Sequence, residues 1–258
     1  MWPRVQKGPQ EVPFCIRNCR ISPGASRSWW TYQAGGRYVM TRQDAVAALR
    51  ISDQALKKAV QRLAARRRLA APRRGFFVIV PVEHRQAGAP PPSWYIHELM
   101  KFCGRRYYVG LLTAAALHGA ADQQPQEFQV ATDGQLRPVM VGRARIRFFR
   151  KLRIAATPTL DMKTETGAMH VATPEATAFD LLRYLKGAGH LGHVATVQSD
   201  LAETMDAKRL AEVARLEGDL PIAQTAGLSV GCGRCRRSRG CPRGLDRGAP
   251  SAVRCPPT

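Results

Sequence analysis

Acidic side chains are scarce in this chain: 19 Asp and Glu stand against 40 Lys and Arg, a formal net charge of +21 over 258 residues. Such a surplus points to a polyanionic partner, nucleic acid or an acidic membrane surface. A long hydrophobic run is missing too. The longest apolar stretch, VGLLTAAALHGAA at 109–121, is shorter than the ~20 residues that cross a bilayer and contains His118. It is expected as a buried helix, and no membrane is expected as a partner. Near the start, Pro3, Lys7, Pro9, Glu11 and Pro13 deny the chain the uninterrupted apolar core of a secretion signal, which points to the cytoplasm. Seven cysteines, odd in number and unevenly spaced, fit reduced thiols better than a disulfide framework. What is present is enough for a core: 45% of residues are hydrophobic, in one large domain or two small ones.

Charge divides the chain. Residues 37–85 carry 12 basic and 3 acidic side chains, whereas residues 86–225 are nearly balanced at 16 and 14. Between the two blocks lies RQAGAPPPSW, whose proline triplet continues neither a helix nor a sheet ladder. The expected organisation is therefore a poorly defined extension at 1–36, a DNA-binding domain at 37–84, a stiff linker at 85–93, a second domain at 94–225 and a tail at 226–258. Trp29, Trp30 and Tyr32 close the extension without marking a site. The tail has 7 Arg, 6 Gly, 4 Pro and 4 Cys but no aromatic residue, so it is expected to be disordered. Its composition also suits a frame-shifted translation of a GC-rich gene. A zinc site from Cys232, Cys235, Cys241 and Cys255 is the competing idea, but only the first pair has the usual two-residue spacing. No metal and no cofactor are expected.

The basic block has internal order. Thr41 and Asp44 form a capping-box pattern ahead of Ala45, Val46, Ala48 and Leu49. A second helix is expected from Ser52 as N-cap, with Ala55, Leu56, Ala59, Val60 and Leu63 on one side. Gln54, Lys57, Lys58, Gln61 and Arg62 occupy the other side, and Arg66 follows in the triple-arginine cluster. Gln pairs bidentately with adenine, and Arg or Lys with guanine, so these residue types suit base reading from a major groove. Two short strands, RLAAP and GFFVIVP, then flank Arg73, Arg74 and Gly75 as a wing whose arginines would follow the phosphate backbone. The pattern is that of a winged helix-turn-helix; the plainer reading is a solvated, charged helix.

The second block is expected to be α/β or α+β, a small mixed sheet covered by helices. Helices are expected from Trp94 to Phe102 and from Val109 to Ala121, and a strand at 126–133. In RARIRFFRKLRI, Arg143, Arg145 and Arg147 alternate with Ala144, Ile146 and Phe148. With Arg150 and Lys151 they form a candidate contact surface in a stretch, 134–160, that has no acidic residue. A charged edge strand guarded against aggregation is the alternative. Thr173 and Pro174 start a further helix that buries Phe179, Leu181, Leu182 and Leu185, and two more helices are expected to meet near Asp206.

Catalytic residues are hard to assemble. His97, His118, His170, His190 and His193 are scattered, and no Cys-His or Ser-His-Asp set emerges. A metal-dependent nuclease would draw on Asp161 and Lys163, in an expected polar turn, with Glu127 or Asp133. We expect no catalytic residue and no enzymatic activity.

Four runs together carry a family resemblance: RYVMTRQDAVAALRISDQALKKAVQRLAARRRLAAPRRGFFVIVP, YYVGLLTAAALHGAADQQPQEFQVATDGQLRP, RIRFFRK and HVATPEATAFDLLRY. Over about residues 37–225 the chain resembles the AbiEi antitoxins of type IV toxin–antitoxin, or abortive-infection, systems of phage defence. The resemblance implies an N-terminal winged helix that binds inverted repeats in its own operon's promoter and represses it. It also implies a C-terminal α/β antitoxin domain that counteracts a nucleotidyltransferase-like toxin. On that basis the DNA role falls to Gln54, Lys57, Lys58, Gln61, Arg62, Arg66, Arg73 and Arg74, and antitoxicity to the domain from about Trp94 onward. The tail departs from the family, whose chains continue as helix after LPIAQ. Alternatives from the residues alone are a stand-alone winged-helix regulator with a sensor domain, and the metal-dependent nuclease.

Overall fold

The computed structural model describes residues 37–120 and 125–218. The N-terminal extension, with its Trp29, Trp30 and Tyr32, lies outside the described residues, as do Ala121 and the tail with Cys232, Cys235, Cys241 and Cys255. The chain forms two compact units that divide between Ala89 and Pro90.

In the first unit, strand β1 (Val39–Thr41) runs directly into helix α1 (Arg42–Leu49), and helix α2 (Asp53–Ala65) follows. Both starts are fixed locally. The Thr41 hydroxyl accepts from the Asp44 amide at 3.2 Å while the Asp44 carboxylate accepts from the Thr41 amide at 3.1 Å. Ser52 caps α2 by accepting from the Ala55 amide. Between the helices, Arg50 ends α1 with a left-handed backbone, φ 49°, a conformation that costs a residue bearing Cβ. Strands β2 (Leu69–Arg73) and β3 (Phe76–Ile79) form the hairpin, and the sheet order is β1-β3-β2, antiparallel throughout. Pro72 sits in edge strand β2 beside a register shift, where a missing N–H is tolerated. Gly75 turns the hairpin at φ 86°.

Met40, Ala45, Leu56, Leu69 and Phe77 form this unit's core, with Val46, Leu49, Ile51, Val60 and Leu63 packed against them. Ala48 and Ala55, expected on the apolar faces, are exposed instead. Helices this short bury only the stripe that meets the sheet, and the small alanines fall outside it.

Among the described residues of the second unit, six strands make one mixed sheet in the order β6-β7-β5-β4-β9-β8. They are β4 (Tyr107–Val109), β5 (Glu127–Thr132), β6 (Val139–Val141), β7 (Ala144–Arg150), β8 (Thr159–Thr164) and β9 (Gly167–Ala172). β5 with β7 and β4 with β9 are parallel; the other pairs are antiparallel. The helices are α3 (Ile96–Phe102), α4 (Leu111–Leu117), α5 (Pro174–Arg183), α6 (His190–Leu201) and α7 (Ala207–Glu217). α5 packs against α4, α6 and α7 and is buried along most of its length, Phe179 and Leu181 included. Thr173 caps it with Pro174 in the first turn, as the sequence indicates, and Asp206, near which two helices are expected to meet, caps α7.

Three expectations are corrected. The apolar run at 109–121 is not one helix: Val109 ends a buried strand at the middle of the sheet, and α4 begins only at Leu111, after Gly110. Tyr107, Tyr108 and Val109 are aromatic and β-branched and pair with Thr132, Ala131 and Val130, so sheet burial takes them. Next, β7 is not an edge strand. It lies between β5 and β6, and the three-residue β6 forms that edge. Finally, Asp161 and Lys163 stand in β8, paired with His170 and Ala168 of β9, rather than in a polar turn.

Candidate nucleic-acid interface

Leu56 of α2 is buried, while Gln54, Lys57, Lys58, Gln61, Arg62 and the capping Arg66 are exposed. At about 100° per residue, the exposed face spreads into two flanks. Gln54, Lys57 and Gln61 line a groove of about 710 Å³, whose opposite wall is Pro72, Arg73, Arg74 and Gly75 of the wing. Lys58, Arg62 and Arg66 do not line it. Arg62 instead folds back, its Nε donating to the Lys58 carbonyl at 3.2 Å. The structure thus joins five of the eight sequence-selected residues in one concavity and leaves three beside it.

The wing is held against the helices by the Arg42 amide, which donates to the Gly75 carbonyl at 2.8 Å. Arg73 is half-buried, and its Nε and Nη2 are shielded from solvent with no hydrogen-bond partner among the described residues. A guanidinium with idle donors in a groove wall is suited to a phosphate oxygen. Arg74 is exposed at the tip. Sequence reasoning missed Arg42 and Asp53, which also line the groove and pair at 2.7 Å. The hydrogen bond from Arg42 holds the Asp53 carboxyl below the usual range, and Asp53 in turn holds Arg42 up. The pair neutralises the one carboxylate that α2 contributes to the groove.

The basic strand of the second unit is less free than its sequence implies. Glu127 on neighbouring β5 meets Arg145 at 3.2 Å and Arg147 at 3.4 Å. Arg143 and Arg150 are exposed. Lys151 is not part of any surface: its side chain is fully buried, with Nζ 2.8 Å from Asp180 and a second contact to Glu217. The Tyr108 hydroxyl donates to the other Asp180 oxygen at 2.6 Å, and Arg183 reaches Glu217 at 2.9 Å. Burial pushes the Asp180 carboxyl up, against the pull of Lys151 and Tyr108. The network joins β7, β4, α5 and the end of α7, and a charge so enclosed survives only with partners.

The nuclease reading loses its geometry. Asp161 bonds His170, Glu127 is committed to the two arginines, and Asp133 lies 3.9 Å from Arg105. Among the described residues no three His, Cys, Asp or Glu side chains gather as a metal site requires.

The fold is thus α+β: a strand-helix-helix-hairpin unit with the element order of a winged helix, followed by a mixed sheet with helices. Residues 108–228 match the family model described as the AbiEi antitoxin C-terminal domain. Over these residues the chain is similar to the C-terminal domain of the AbiEi antitoxins. Among solved structures, the fold is similar to the crystal structure of RV2827C protein from Mycobacterium tuberculosis, with a TM-score of 0.62 and 16% identity, over 84% of this chain and 79% of that one. No curated protein matches.

Proposed function

We propose that this chain is a non-enzymatic, cytoplasmic antitoxin of a type IV system that represses its own promoter and counteracts a nucleotidyltransferase-like toxin. The groove between α2 and the wing carries the DNA part of this reading, because it joins base-reading side chains to phosphate-directed arginines. Gln54, Lys57 and Gln61 read base edges in the major groove, while Arg73 and Arg74 hold the backbone. Lys58, Arg62 and Arg66 add phosphate contacts on the outer flank. The matched AbiEi domain supports the toxin part, with Arg143, Arg145, Arg147 and Arg150 as the surface for that task.

A gel-shift titration on the protein's own upstream DNA against a scrambled duplex, at two salt concentrations, tests the repressor. Gln61→Ala should weaken promoter binding selectively, by about 1–3 kcal/mol. Arg74→Ala should weaken both duplexes alike and flatten the salt dependence by about one ion. Equal loss on both duplexes for Gln61→Ala contradicts base reading. Rescue from the adjacent toxin by a chain with Arg143 and Arg150 changed to Glu tests the second surface; undiminished rescue removes it.

A further inference from the structure

A second concavity belongs wholly to the second unit and is independent of the DNA reading. It encloses about 400 Å³ between α3, the start of β4, β8 and β9. Lys101, Arg105 and Arg106 line it, with His97, Tyr107 and His170 along another wall. Three permanent cations face one space, and the carboxylates of Glu98 and Asp161 are near enough to act on Tyr107 in its wall. Asp133 stands 3.9 Å from Arg105, too far for a hydrogen bond, and Asp161 is engaged with His170.

The wall is built rather than accidental. The Tyr107 hydroxyl meets His97 Nδ1 at 3.1 Å, and the rings of His97, Tyr107 and His170 lie 5.3–5.9 Å apart, centre to centre. With Nδ1 of each histidine engaged, each ring has Nε2 left to offer. Arg105 lies across Gly134 so closely that a Cβ there would come within 2.8 Å of its guanidinium carbon. The floor includes Tyr108 and Thr157, which bond Asp180 and Glu217 of the buried network. That network makes the floor rigid.

From this arrangement we infer that the second unit binds a small phosphorylated ligand of the nucleoside triphosphate class, its phosphates on Lys101, Arg105 and Arg106 and its flat base toward His97, Tyr107 and His170. Cations and imidazoles are the groups that recognise phosphate oxygens. The volume is of the size that holds a small organic molecule, more than a lone phosphate needs.

Isothermal titration of the full-length chain with ATP, tripolyphosphate and adenosine, at two salt concentrations, tests the inference. ATP should bind saturably, one per chain, with tripolyphosphate weaker and adenosine negligible. The double variant Lys101→Ala/Arg106→Ala alters two exposed side chains and should weaken ATP by about tenfold or more. Gly134→Ala should weaken it independently by displacing Arg105. The groove variant Lys57→Ala/Arg74→Ala should leave ATP binding unchanged. No saturable binding, or loss only in the groove variant, overturns the site. Tripolyphosphate binding as tight as ATP overturns the role of the ring wall.

Discussion

Lys151→Met tests the physical reading of the second unit most directly. The wild-type ammonium is fully enclosed and touches Asp180 at 2.8 Å and also Glu217. Methionine fills a similar volume but leaves two buried carboxylates with Arg183, Tyr108 and Thr157 as their remaining side-chain partners among those described. Removing one member of a buried ion pair costs about 3–5 kcal/mol, a large part of the about 5–15 kcal/mol that holds a domain together. Urea unfolding of the full-length chain should show that loss at neutral pH. Losing the cation raises an Asp180 carboxyl that burial already pushes up. A raised folded value stabilises below the unfolded value and is lost as pH rises through the folded one, so the deficit should shrink toward about pH 5. Adding Asp180→Asn and Glu217→Gln should restore most of the stability. A loss under about 1 kcal/mol, or one identical at acidic and neutral pH, would refute the account.

Other expectations follow from single features. Gly75→Ala places a Cβ at φ 86° in the wing turn; it should cost about 1–2 kcal/mol and weaken promoter and scrambled DNA alike in gel shifts. Asp53→Asn frees the exposed Arg42; melting should hardly change, while DNA affinity at low salt rises and its salt dependence steepens by about one ion. Burial holds the phenols of Tyr95, Tyr107 and Tyr108 well above their usual value of 10.0, and pushes half-buried Tyr184 up to about 12. Folded values above the unfolded one favour the native state below about pH 10, and that benefit falls as pH rises, by about 1.4 kcal/mol per unit for each of the three buried rings. Thermal melts should show stability declining above pH 10, with tyrosinate absorbance appearing together with unfolding. Ionisation of all six tyrosines well before unfolding would contradict this.

The features that could be read from sequence are local ones. Thr41 with Asp44, Ser52, and Thr173 with Pro174 all mark helix starts because a cap is satisfied within three residues. Gly75 at the wing tip is legible for the same reason. Tyr107–Val109 was hidden because an apolar strand flows into an apolar helix with only Gly110 between them, and periodicity does not separate the two. The internal position of β7 depends on β6, three residues with no signal of their own. In the groove, the helix side of the site follows from period, but Arg42 and Asp53, eleven residues apart, come together only through the turn at Arg50. Lys151 reads as one more basic residue because its partners are 29 and 66 residues away.

Those separations also set a schedule for synthesis. As the chain emerges, Lys151 appears first, Asp180 follows 29 residues later, and Glu217, the last residue of α7, comes 66 residues later. Until Asp180 emerges the ammonium has only water, and until Glu217 follows its partner set is incomplete, so enclosing it would be costly. The second unit therefore completes its interior only when α7 docks. A nascent chain cut or stalled within α7 keeps an open, chargeable cleft between β7 and α5, a state that proteases and chaperones would meet first.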